Sequence, residues 1–143
     1  DDETRRLFHR VLYSEVVLAD IMRDAAPEGG NGYEIAARIE QTLPEMTELA
    51  DSFRIRELEY LQSRIDELSR EQLLDLAGRY EARDEPDKAA QVKRNWLEAR
   101  ERAAARSGPG ALMDLGEEYL NLLEDEDAAA RQAAAAGGTV YER

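Results

Sequence analysis

Leu73-Leu74-Asp75-Leu76-Ala77-Gly78-Arg79-Tyr80 returns 39 residues later as Leu112-Met113-Asp114-Leu115-Gly116-Glu117-Glu118-Tyr119. Glu85, Ala89 and Ala90 follow the first copy at the offset at which Glu124, Ala128 and Ala129 follow the second. Self-similarity at a period of about 20–50 residues marks a helical-repeat architecture, because one such unit cannot bury its apolar face alone. In each copy Leu, Leu and Tyr stand at i, i+3 and i+7 on one helical face, and Ala77 or Gly116 beside them lets a neighbouring helix come close. Ala128, Ala129 and Ala135 are expected to fill the gap at Gly116 from a second helix.

The pattern resembles the tetratricopeptide family and its longer-period relatives. The second unit matches it at Leu112, Leu115, Gly116, Tyr119, Ala128 and Ala135. The first matches at Leu73, Leu76, Ala77, Tyr80 and Ala89, but Lys93 and Trp96 stand where an aromatic and a small residue are expected. The resemblance implies antiparallel helix pairs in a right-handed superhelix, with a concave surface lined by the first helix of each pair. On that surface it places Glu71, Leu74, Gly78, Glu81 and Ala82 from one unit, and Gly110, Met113, Glu117, Leu120 and Asn121 from the other. Leu74, Met113 and Leu120 would then be apolar anchors, Glu81 and Glu117 would select positive charge, and Asn121 would lie beside them, facing a basic and apolar protein or peptide segment. The competing reading makes the three apolar residues ordinary core. Three or more units usually stabilise such a stack, so the first 70 residues must complete it differently. Taken without the resemblance, the chain reads as an all-α bundle of about seven helices.

Residues 1–143 are expected to form one helical domain, divided into N-terminal helices (1–69), two repeat-like pairs (70–136) and a tail (137–143). The first helix, to Asp24, is apolar over a broad face: Leu7, Val11, Ser14, Leu18 and Met22, widened by Phe8, Leu12, Val16 and Ile21. Pro27-Glu28-Gly29-Gly30-Asn31-Gly32 stops it in what reads as the most flexible connection. Asn31 and Glu34 have capping-box spacing for a second helix to Leu43, and Thr42 and Glu45 for a third, with Pro44 in its first turn. That third helix is expected to reach about Leu68, and the 3, 4, 3 spacing of Leu58, Leu61, Ile65 and Leu68 leaves a coiled-coil homodimer open. Ser69 and Gln72 form another capping box, Pro86 starts a fifth helix to Arg106, and Ser107-Gly108-Pro109-Gly110 precedes a sixth from Ala111 to Glu124. A seventh, 126–136, is expected to end at Gly137-Gly138. Beyond it, Thr139 to Arg143 has strand propensity, either as a loose tail or with Val140 and Tyr141 tucked into a groove.

A chain of 143 residues with no cysteine has neither a disulfide framework nor a thiolate, which suits the cytoplasm and leaves the periplasm open if a leader was removed. It begins at Asp1 rather than Met, and no apolar run approaches a membrane span. Of 19 basic residues only Lys88 and Lys93 are lysines, a hint of a GC-rich bacterial gene. The net charge of −13 argues against nucleic acid, whose phosphates need clustered cations, and favours a basic partner. Asp114, Glu117, Glu118, Glu124, Asp125, Glu126 and Asp127 form a run without a base, whereas Lys88 to Arg106 is basic.

Catalytic groupings are scarce. The single histidine, His9, has Arg5 and Tyr13 at i±4 rather than a carboxylate, so it reads as structural. No Glu-x-x-His, calcium-loop or phosphate-loop spacing occurs, and the serines lack an elbow motif. Glu117-Glu118 and Glu124 to Asp127 read as solvated acids rather than a cation site. The expectation is therefore no enzyme, no cofactor and no metal, but an adaptor, chaperone or scaffold that holds a protein segment. The alternative is an acidic, immunity-type inhibitor that blocks a basic site.

Overall fold

In the computed structural model, which describes residues 1–124 and 126–141 with side chains for 1–124 and 128–136, the chain is all-helical, and no strand occurs among the described residues. Seven α-helices follow in order: α1 (Asp2–Arg23), α2 (Gly32–Thr42), α3 (Thr47–Ser63), α4 (Arg70–Ala82), α5 (Pro86–Ala104), α6 (Pro109–Leu123) and α7 (Glu126–Tyr141), with a 3-10 turn at Ile65–Glu67. Contacts group them into two compact units, Asp1–Ser63 and Arg64–Arg143.

In the first unit, Ile21 of α1 joins Ile35, Ala36 and Ile39 of α2 and Ala50 and Phe53 of α3 in one buried cluster. The α1–α2 connection is held by specific bonds. Asn31 accepts from the Ala26 N–H (2.8 Å) and donates to the Asp24 carbonyl (2.8 Å), and Arg56 donates to the Pro27 carbonyl. Its side chain is thereby committed to the loop, so the expected Asn31–Glu34 capping box does not form. Glu57 of α3, itself buried, replaces it: its carboxylate accepts the Tyr33 N–H at 3.1 Å, where the first turn of a helix leaves donors open and favours negative charge. Gly32 permits the approach, because a Cβ there would lie 1.9 Å from the Phe53 carbonyl oxygen.

The third helix is shorter than its sequence suggests. Pro44 lies in a turn closed by Met46 N–H to Leu43 C=O (2.9 Å), the position a proline favours in such turns, and α3 starts at Thr47. Thr42 belongs to the end of α2 and caps nothing downstream. At its other end α3 stops at Ser63, so Leu58, Leu61, Ile65 and Leu68 share no single helix: Ile65 is in the 3-10 turn and Leu68 is extended. The Ser69–Gln72 capping box forms in both directions and starts α4 afresh.

In the second unit α4 packs on α5 across Arg83-Asp84-Glu85, α5 on α6, and α6 on α7. Leu73, Leu76, Ala77, Tyr80 and Ala89 are buried, as are Leu115, Gly116, Tyr119 and Ala128. Gly116 meets α7 closely, since a Cβ there would stand 3.2 Å from the Ala129 carbonyl oxygen and 3.4 Å from Gln132 Cβ. Ala135 is exposed; Gln132 and Ala136 take the buried positions beyond Ala128. The last helix runs on through Gly137-Gly138 to Tyr141 rather than ending there. Glycine costs about 1 kcal/mol in a helix but does not stop one already propagating from an alanine run. Strand propensity at Thr139–Tyr141 finds no pairing strand and is overridden. The expected tucking of Val140 and Tyr141 falls outside the described side chains.

Candidate interaction surface

Trp96, the only tryptophan, occupies the position where the repeat pattern asks for a small residue, and the surrounding structure accounts for the departure. The indole is buried and its Nε1–H donates to the Leu68 carbonyl at 2.8 Å, satisfying the extended residue before α4. Arg100, one turn on, lays its guanidinium 4.0 Å from the ring centroid, a favourable cation–π geometry. Beside them α4, α5 and α6 leave a cavity of about 430 Å³, lined among others by Arg70, Trp96, Arg100, Ser107, Asp114 and Glu118. Arg70 of α4 donates to Glu118 of α6 at 2.8 Å across it. Within this unit the first helices of the two repeat-like pairs are therefore directly joined.

All six of the expected partner-binding residues are exposed. Leu74 is 38%, Met113 47% and Leu120 45% accessible, which is unlike core residues. They divide by helical position. Leu74 and Glu81 follow Arg70 along the same side of α4, and Asn121 adjoins Asp114 and Glu118 on α6. Met113 and Leu120 lie roughly 140–160° around α6 from Glu118, closer to the line of Leu112, Gly116 and Tyr119 that meets α7. Leu74, Glu81 and Asn121 thus belong to the side on which α4 and α6 are joined, whereas Met113, Glu117 and Leu120, at i, i+4 and i+7, form a separate line about 100–160° around α6 from Glu118. Glu81 has a cation within 4.0 Å, the Lys93 ammonium.

The electrostatics are mixed rather than purely acidic. Glu118 is committed to Arg70, and the cavity wall carries Arg100 as well as Asp114. Glu101, on α5, accepts from the Tyr119 hydroxyl and from the Gln132 amide. Burial, that hydrogen bond and the negative charges of Glu101 and Glu98 push the Tyr119 hydroxyl up to about 12. His9 is exposed on α1, edge-on to Phe8 with ring centroids 6.4 Å apart. Among the described residues no cluster of three His, Cys, Asp or Glu is arranged to hold a metal. The acids Asp125, Glu126 and Asp127 lie outside the described side chains. No described helix is long and apolar enough to cross a membrane.

Sequence reasoning missed Arg70, Trp96 and Arg100 as a group. The signal that existed was a tryptophan at a small-residue position with Arg at i+4; the contact with Leu68 has no local signature. No protein-family model, no curated protein and no solved structure matches the chain.

Proposed function

We propose that this chain is a non-catalytic interaction module of the helical-repeat kind, acting as an adaptor, chaperone or scaffold. Its second unit binds a protein segment carrying basic and apolar side chains along the joined side of α4 and α6. The observation that carries this reading is the joint exposure of Leu74, Glu81, Glu117 and Asn121 in the unit whose α4–α6 cavity is walled by Trp96 and Arg100, although none of the four lines that cavity. An apolar anchor flanked by carboxylates matches an apolar residue flanked by cations, and the cavity gives that residue somewhere to be desolvated. Met113, Glu117 and Leu120 extend the contact around α6 to a longer partner.

Trp96 supplies the assay. A peptide alternating Arg and Leu, titrated into the protein, is expected to change the tryptophan emission and to keep much of its affinity at about 1 M salt, where screening shortens to about 3 Å. Leu74→Ser is expected to weaken binding at every salt concentration, and the pair Glu81→Lys with Glu117→Lys chiefly at low salt. Binding that ignores Leu74→Ser and vanishes in salt would replace this reading with the acidic inhibitor, whose face acts through charge alone.

A further inference from the structure

Asn31-Gly32 is the one Asn-Gly pair in the chain; Asn95 and Asn121 precede the bulky Trp96 and Leu122. An asparagine before glycine is the most prone to lose its amide, because no side chain shields the following peptide nitrogen and the backbone turns freely there. In that reaction the Gly32 nitrogen gives up its proton to solvent base and bonds to Asn31 Cγ. The Cγ–Nδ2 bond breaks, ammonia leaves, and a five-membered imide remains. Water then opens the ring at one of its two carbonyls, leaving aspartate or, mostly, isoaspartate.

The fold opposes each requirement of that step. The Asn31 side chain is held at both ends, Oδ1 accepting the Ala26 N–H and Nδ2 donating to the Asp24 carbonyl, each at 2.8 Å. The Gly32 N–H, whose proton must be lost, donates to the Gly29 carbonyl at 3.1 Å. Ring closure takes a large rotation about the Asn31 Cα–C bond from its ψ of 27°. Both neighbours are seated against α3: a Cβ at Gly30 would meet the Tyr60 ring at 3.2 Å, and one at Gly32 the Phe53 carbonyl oxygen at 1.9 Å. The segment must therefore leave α3 before it can react, and α2 and α3 are closed over Ile35, Ala36, Ile39, Ala50 and Phe53.

The main product does not fit back. Aspartate at position 31 would keep the acceptor for Ala26 and suit the start of a helix, losing only the donor to Asp24. Isoaspartate carries the main chain through Cγ, which lengthens the backbone by one methylene. It also takes the Asn31 carbonyl, which accepts the Ile35 N–H at 3.1 Å, out of the chain as a free carboxylate. Between Gly30 on Tyr60 and Gly32 on Phe53 the extra length has no place.

We infer that Asn31-Gly32 is a latent deamidation site: closure of the first unit preserves its amide, and opening exposes it to a conversion after which the unit no longer closes. Because the chemistry is slow beside reclosing, the rate of loss follows the fraction of molecules that are open.

The whole chain, incubated in mildly alkaline buffer at body temperature and mapped by peptide mass spectrometry, should keep Asn31, whereas chain unfolded in urea should lose it ahead of Asn95 and Asn121. Ile39→Val, a small loss from the core, should speed conversion at Asn31 in buffer by about fivefold. Urea below the unfolding transition should speed it in the wild type as well, in step with the opening it favours. Isoaspartate-bearing chain, separated by ion exchange and returned from urea, should show less helical circular dichroism than unmodified chain treated alike. Loss of Asn31 as fast in buffer as in urea would overturn the inference, as would equal loss at all three asparagines in urea. So would a rate indifferent to both Ile39→Val and low urea, or an isoaspartate chain that regains the full helical signal and melting temperature.

Discussion

Tyr119 of α6 donates its hydroxyl to one carboxylate oxygen of Glu101 on α5 at 2.9 Å, while Gln132 of α7 donates to the other at 2.7 Å. One carboxylate thus ties three successive helices. Both donors sit on largely buried side chains, so the network is satisfied where an unpaired polar atom would be costly.

The Tyr119 hydroxyl, pushed up to about 12 by burial first and by Glu101 next, makes stability depend on alkaline pH. The unfolded tyrosine ionises near pH 10, so the folded state holds its proton more tightly. That contribution is complete below about pH 10 and is lost as pH rises through about 12. Urea unfolding across this range should show the decline, and Tyr119→Phe should remove this part of it while costing about 1 kcal/mol at neutral pH. Identical alkaline profiles for the two proteins would contradict the assignment.

Three glycines in three settings should respond differently to alanine. Gly32→Ala sets a Cβ against the Phe53 backbone at 1.9 Å and should destabilise the first unit by about 3 kcal/mol or more. Gly116→Ala meets Ala129 at 3.2 Å, so a loss of about 1 kcal/mol from crowding competes with a similar gain in helix propensity. Gly78→Ala meets nothing within 4 Å and should stabilise by about 1 kcal/mol. Thermal denaturation of the three variants tests the order.

Removing the Glu57 carboxylate should expose the start of α2. Glu57→Ala is expected to cost about 2 kcal/mol, and Glu57→Gln, which keeps an acceptor for Tyr33 N–H, about half of that. Amide exchange at Tyr33 should quicken in the alanine variant; unchanged protection there would mean that another group caps the helix.

Glu124 ends α6 in the left-handed region at φ 54°, its N–H bonded to the Leu120 carbonyl. A side chain costs about 1 kcal/mol in that conformation, so Glu124→Gly should raise stability by about that much. Asp84, at φ 59° after α4, is of a type that tolerates the region better, and Asp84→Gly should give less. A loss of stability in both variants would refute the assignment of these ends.

Much of the fold was legible because its signals are local. The Ser69–Gln72 box, Pro86 at a first turn and the Leu/Leu/Tyr spacing of α4 and α6 act within a few residues of themselves, whereas Pro109, read as part of the break before Ala111, itself opens α6. The failures share the opposite character. Asn31 and Glu34 had capping-box spacing, but the Asn31 side chain was claimed by the loop. Four leucine and isoleucine positions had a heptad rhythm, but α3 stopped at Ser63, leaving Ile65 in a 3-10 turn and Leu68 extended. Gly137-Gly138 looked like a stop, but nothing beyond them took the chain out of the helix. Of the candidate surface, the exposure of Leu74, Glu81, Glu117 and Asn121 matches what the repeat resemblance implied, whereas the cavity between α4, α5 and α6 had no local signature.

By itself the amino-acid sequence determined the all-helical class, the number of helices and the apolar face each one carries, because periodicity, caps and turn residues act over a single helical turn. Tertiary structure alone decided which partner each leftover group found. The Tyr33 amide reaches Glu57 across 24 residues and the Trp96 indole reaches Leu68 across 28. Such pairings arise only when helices pack, since the cost of burying an unpaired donor selects the acceptor that packing brings within reach.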